Sequence, residues 1–214
     1  MLILLSTFGD AARRHRPPYT SFAASFRRRG GNVNVRRTID AARGGKLELD
    51  FRQQPPFGFH NVVYLRETHI GIPLSDPQRL LAGLQQMVAE YPPALQQAII
   101  SDYLWGVEFT LLLARDGAGR GDVYSTMGCL TRGLSYLTQV LFALNATYFI
   151  SDKGSIEAIE TFPLRPARYA ARVTEILTRH TSAVELPAAV ALLDALFRDT
   201  VALAGGRYAP RYAL

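Results

Sequence analysis

The residues best placed to do chemistry are a few polar side chains set into otherwise apolar segments. Glu108 sits in Leu104-Trp105-Gly106-Val107-Glu108-Phe109, a carboxylate among large apolar groups. Arg132 and Gln139 are seven residues apart, so a helix carries both on nearly one face, and Asn145 follows at the end of the same apolar run. Upstream, Leu47, Leu49 and Phe51 alternate with Glu48, Asp50 and Arg52, as in a strand that turns two carboxylates to one side. A carboxylate among apolar groups can take a proton. The plainer reading is that the helical groups pair with one another along a wet seam and that Glu48 and Asp50 edge a solvated strand. Spacing alone leaves both open.

The elements that must hold these residues fall into two parts. Before residue 75 the pattern is short and mixed. Tyr19–Arg29 reads as a short helix, and strands are expected at Asn32–Ile39, Lys46–Arg52, Val62–Leu65 and His69–Ile72. Gly44-Gly45 reads as a turn. From Ser75-Asp76-Pro77 onward the chain reads as helical, since a cap residue before Pro is a helix-start signal. A second long helix is expected from Pro92-Pro93 to about Arg115, stopped by Asp116-Gly117, and a third from Gly121-Asp122 to about Phe149. Two more are expected near Pro166–His180 and Pro187–Ala204. Short connections between long helices imply antiparallel packing. The expected fold is α+β and mostly α: a small α/β portion over 1–74, then a helical bundle over 75–214.

The 214 residues, with 48% hydrophobic and 20% charged, suit a globular chain with a sizeable core. No apolar run approaches the ~20 residues that span a bilayer, and one cysteine cannot form an internal disulfide, so a cytoplasmic location is expected. Charge is uneven. Residues 1–52 hold eleven Lys/Arg against four Asp/Glu, and the remainder is close to neutral. Arg13-Arg14-His15-Arg16 and Arg27-Arg28-Arg29 lack the interleaved aromatics of a nucleic-acid module, so a solvated arm is expected and nucleic acid is not an expected partner. The four histidines have no zinc spacing, and neither a phosphate-binding Gly-x-x-x-x-Gly-Lys loop nor a Gly-x-Ser-x-Gly elbow occurs. Gly117–Gly121 reads as a loop between helices.

Several collinear motifs carry a resemblance: YPPAL…YLWGVEF, RGDVYSTMGCLTR, TQVLFALN, the following Asp152-Lys153-Gly154, and GFHNVVYLRETHIGIPLSDP before them. Over roughly residues 46–180 the chain resembles bacterial nucleotidyltransferase-domain proteins, in which a polymerase-β-like domain precedes a helical bundle, as in the kanamycin nucleotidyltransferase group. The resemblance implies transfer of a nucleotidyl group from a nucleoside triphosphate to an acceptor hydroxyl, with Mg²⁺ as cofactor. It makes Glu48 the match of the family's strand carboxylate, with Asp50 beside it as a second metal ligand. It makes Glu108, walled by Trp105, Phe109 and Leu112, the base toward the acceptor. Arg132 and Lys153 become phosphate-facing cations, and Gln139 and Asn145, in the same motifs, complete the nucleotide-binding set.

The chain departs from the family where the chemistry is decided. Its only Gly-Ser is Gly154-Ser155, far downstream, and no Asp-x-Asp occurs. An arginine-rich, aperiodic start joined to a well-patterned remainder reads as truncation, a shifted frame or divergence of the catalytic unit. Two functions are expected from this: a nucleotidyltransferase with impaired or absent catalysis, or a non-catalytic bundle that binds a nucleotide, a protein partner or its own copy.

Overall fold

The computed structural model describes residues 4–5, 31–51, 56–73, 76–178 and 182–212, with side chains from residue 35 onward. The helix expected at Tyr19–Arg29 and both arginine clusters lie outside these residues. The fold is α+β and mostly helical, with two small antiparallel ribbons beside a helical bundle. In chain order the elements are β1 (Leu4–Leu5), α1 (Gly31–Arg43), β2 (Leu49–Asp50), β3 (Phe59–His60), α2 (Val63–Ile70), β4 (Ile72–Pro73), α3 (Leu80–Met87), α4 (Pro93–Gly119), α5 (Val123–Leu144), α6 (Ser155–Ile159), α7 (Tyr169–Thr178) and α8 (Leu186–Ala204). A single 3₁₀ turn, Ala183–Glu185, leads into α8. β1 pairs with β4 and β2 with β3, placing Leu49 opposite His60 and Asp50 opposite Phe59.

Helix starts follow their local chemistry. The Asp76 carboxylate accepts hydrogen bonds from the Leu80, Leu81 and Ala82 amides at 2.7, 2.9 and 3.3 Å, satisfying the orphan donors of α3. Pro93 opens α4 and Pro187 sits in the first turn of α8, where a missing N–H costs nothing. Asp122 caps α5, accepting from the Ser125 amide at 3.0 Å. Three residues, Arg120–Asp122, join α4 to α5 and turn them antiparallel; α8 packs along both, and α7 packs on α8. Leu104, Val107, Leu111, Leu130, Leu137, Leu141, Leu193 and Phe197 are sealed between them. Each such side chain contributes about 1.5–3 kcal/mol by leaving water.

Several expected elements differ. Asn32–Ile39 is not a strand but part of α1: Val35, Thr38, Ile39 and Ala42 are buried at helical spacing, and packing on α4 selects that period over the alternation of Val33 and Val35. The strand expected at Lys46–Arg52 shortens to Leu49–Asp50, and Phe51 beyond it is exposed. Of Val62–Leu65, Val62 is the N-cap of α2 and the rest lies in it, as does the start of His69–Ile72, leaving Ile72–Pro73 as strand. α4 runs through Gly117 to Gly119, because a close crossing suits a glycine there: a Cβ on Gly117 would lie 2.8 Å from the Thr126 hydroxyl oxygen. Gly117–Gly119 is therefore helix, and the loop is Arg120–Asp122. α5 ends at Leu144, five residues earlier than expected.

One apolar core takes in Val35, Ile39, Val62 and Leu65 together with the bundle residues, so it runs across position 75. α1 buries Val35, Thr38, Ile39 and Ala42 in this core and leaves Arg36, Arg37 and Arg43 exposed.

Candidate functional site

The site grows from a glycine in the middle of α4. A Cβ on Gly106 would lie 2.8 Å from the Tyr136 ring, so the absent side chain lets Tyr136 of α5 rest on the α4 backbone and stack on Tyr103 at 5.2 Å, with rings 17° apart. Trp105 and Phe109, one turn apart, stack on each other on the outer face of α4 at 5.5 Å and 7°, each about two-fifths exposed. Between these rings opens a pocket of about 380 Å³, lined by Ser101, Asp102, Tyr103, Trp105, Gly106, Tyr136 and Arg211. The Arg211 guanidinium stands 6.0 Å over the Trp105 ring.

Behind the pocket, the Tyr103 hydroxyl and His60 Nδ1 share a 2.9 Å hydrogen bond. His60 comes from β3 and is wedged edge-on between Tyr103 and Phe149, 5.8 Å from each. Burial lowers its pKa to about 4 and keeps the imidazole neutral, and burial likewise pushes the Tyr103 phenol up. The pocket therefore has an aromatic lining, one carboxylate, one guanidinium and a neutral polar pair at its back.

Glu108 faces elsewhere. It is 0% exposed, and three donors from the C-terminal segment fill its carboxylate. The Tyr208 hydroxyl donates to Oε2, and the Arg211 and Tyr212 amides donate to Oε1 at 2.7 and 2.5 Å. Burial and the Glu108 carboxylate both push the Tyr208 phenol up. The expected wall of Trp105 and Phe109 is instead a stacked pair on the outer surface. Glu108 works here as an internal acceptor.

The other expected site residues divide into two groups. Arg132 lies 5.3 Å over the Phe51 ring, which brings it to the end of β2, the strand that holds Asp50 and follows Glu48. Glu48 is exposed, and its carbonyl accepts from the Asn61 amide at 3.0 Å; Asp50 is half-buried. Gln139 is buried on α5, and its Nε2 has no hydrogen-bond partner among the described residues.

The second group lies at the far end of α5. Asn145 is thirteen residues, or about 20 Å of helix, from Arg132. It ties the following loop down, with Nδ2 donating to the Leu141 and Leu164 carbonyls at 2.7 and 2.8 Å and Oδ1 accepting from the Leu164 amide at 3.0 Å. Lys153 is exposed, and its amide donates to the Ser151 hydroxyl. Gly154-Ser155 forms the turn into α6. These residues do not meet in one constellation.

Among the described residues, no three His, Cys, Asp or Glu side chains gather where they could hold a metal ion. Glu48 and Asp50 alone do not fit a two-ion centre, which needs ligands bridging both ions. No family model, curated protein or solved structure matches the chain. Sequence reasoning missed Asp102, Tyr103, Tyr136, His60 and Arg211 as site residues. The available signal was Gly106: a glycine inside a long helix costs about 1 kcal/mol against alanine and calls for a packing reason.

Proposed function

We propose that the chain is a nucleotidyltransferase-like bundle that binds a nucleotide without transferring it. One observation carries this reading: the pocket joins exposed aromatic faces to a guanidinium, while the carboxylate expected to act as base is filled by three donors. A base stacked on Tyr136 gains about 1–3 kcal/mol, and Arg211 offers a planar fork that matches phosphate oxygens. Asp102 supplies an acceptor for ribose hydroxyls. The magnesium and nucleoside triphosphate expected from the resemblance divide here: the triphosphate suits Arg211, whereas Glu48 and Asp50 do not make a two-ion site and carry no step.

A second reading has its own observation. Trp105, Phe109 and Leu113 recur every fourth residue along α4 and are 37%, 42% and 47% exposed, an apolar stripe that suits a partner chain or a second copy.

Trp105 is the only tryptophan, so its emission reports on the pocket directly. The test titrates each of the four ribonucleoside triphosphates against Trp105 fluorescence while magnesium-dependent pyrophosphate release is followed, with Glu48→Ala as control. Saturable quenching without release is the expected result. Release that Glu48→Ala abolishes would restore the transferase. Absence of quenching, with a dimer that Phe109→Glu dissolves, would move the function to the stripe.

A further inference from the structure

The C-terminal segment is strapped to α4 beside the pocket. α8 ends at Ala204, after which left-handed Gly205 and Gly206 (φ 59° and 82°) reverse the chain back toward α4. Three anchors hold the strap beyond these glycines. The Arg207 carbonyl accepts from Gln97 Nε2 at 3.0 Å. Tyr208 buries its ring edge-on to Phe197, with centroids 6.5 Å apart. Glu108 then takes the Tyr208 hydroxyl and the Arg211 and Tyr212 amides. Arg211 is exposed, its side chain lines the pocket, and its amide is held by Glu108.

We infer that Glu108 is the positioning residue for phosphate recognition: by clamping the Arg211 amide it sets the Arg211 guanidinium over Trp105, at the pocket's anion side. This inference rests on the nucleotide-binding reading and deepens it. The clamp depends on acceptor geometry. One oxygen serves both amides, and the other serves a phenol that can donate or accept. A glutamine keeps this pattern, since Oε1 still accepts both N–H groups and Nε2 donates to the Tyr208 oxygen. An alanine leaves all three donors without their partner. A base would behave the other way, failing as glutamine as completely as alanine.

The experiment compares ATP, adenosine and inorganic triphosphate by Trp105 fluorescence in the full chain and in Glu108→Ala, Glu108→Gln, Tyr208→Phe and Arg211→Ala. The expected wild-type preference for ATP over adenosine is about tenfold, of the order that one charge-assisted contact supplies. Glu108→Ala and Arg211→Ala should reduce that ratio to near one and lose triphosphate binding, with adenosine affinity changed less than about threefold. Glu108→Gln should keep the ratio. Tyr208→Phe removes one of three donors and should reduce the ratio in part, so the inference stays open to refutation where Glu108→Ala fails to fold. An unchanged ATP-to-adenosine ratio in Tyr208→Phe or in folded Glu108→Ala, or its loss in Glu108→Gln, overturns the clamp.

A ligand-free readout separates failure of the clamp from failure of nucleotide binding. Arg211 shields Trp105, so acrylamide should quench Trp105 more efficiently in Glu108→Ala and Tyr208→Phe than in wild type or Glu108→Gln. Equal quenching in all four overturns the clamp even if no nucleotide binds.

Discussion

The middle of α4 and the ribbon β2–β3 both carry carboxylates in patterns that invite chemistry, and the fold treats them oppositely. Glu108 is sealed beneath a strap and spends both oxygens on three donors. Glu48 stands exposed on the approach to a two-residue strand whose next residue, Phe51, is 59% exposed. A carboxylate inside a bundle persists only where the fold supplies hydrogen bonds, since the bare charge is too costly to bury. A carboxylate at a ribbon edge keeps its water and needs no such partner. The same residue type is therefore a structural tie in one region and a solvated group in the other. The bundle repeats its solution: Asn145 ties down the loop after α5, and Gln96 Nε2 donates to the Ala143 carbonyl at 2.7 Å.

The largest expected effect breaks the tie. Glu108→Ala should lower unfolding free energy by about 3–5 kcal/mol, since each hydrogen bond to a charged group contributes about 1.5–3 kcal/mol and the freed amides recover part of this from water. Glu108→Gln should cost about 1 kcal/mol or less. Urea denaturation of both variants beside Glu48→Ala, which should stay within about 0.5 kcal/mol of wild type, gives the comparison directly. Equal losses at positions 48 and 108 would remove the distinction between the regions.

Much of the bundle was legible because its signals are local. Pro93 and Asp122 mark helix starts through a missing N–H or a bond within one turn, whereas Asp76 caps α3 from four residues before its first residue, Leu80, so that helix opens three residues later than Pro77 implied. The ribbon region was not, because Asn32–Ile39 carries both a two-residue and a helical period, and only packing against α4 decides between them. At the site, Arg132 and Gln139 were legible as sharing a face of α5, but what α5 meets, Phe51 at Arg132 and Tyr103 at Tyr136, is set by tertiary contacts. Arg211 was beyond reach: it comes to Trp105 from 106 residues away, along a strap whose course depends on two left-handed glycines and a buried glutamate.

The region before α3 should also carry an opposed pair of pH dependences. His60 is lowered from 6.5 to about 4 in the fold, so between pH 4 and 6.5 the unfolded chain binds the extra proton and stability rises with pH. Glu67 of α2 is raised by burial from 4.5 to about 7, so between pH 4.5 and 7 the folded chain holds the extra proton and stability falls with pH. The two nearly cancel in the wild type over pH 4.5–6.5. Glu67→Gln should unmask a rise of about 2 kcal/mol between pH 4 and 6.5, somewhat less than the ~3 kcal/mol that the full His60 displacement represents. His60→Asn should unmask the fall. Chemical denaturation at half-unit pH steps reads both slopes, and a flat profile for Glu67→Gln would place the pH sensitivity outside this part of the chain.

The smallest effect is the sharpest check on the ribbon side. Arg132 is exposed, and its interaction with Phe51 is a cation over an exposed ring, worth about 0.5–1 kcal/mol. Arg132→Ala should therefore cost about 0.5 kcal/mol, with little change on replacement by lysine, which keeps the charge over the ring. A loss approaching that of Glu108→Ala would mean that β2 is held to α5 through this contact, and the ribbon would then be a tied element like the strap. A loss within the expected half kilocalorie leaves Arg132 as a solvated cation over Phe51 at the end of β2, which is the condition a surface group must meet before it can respond to a ligand rather than to the fold.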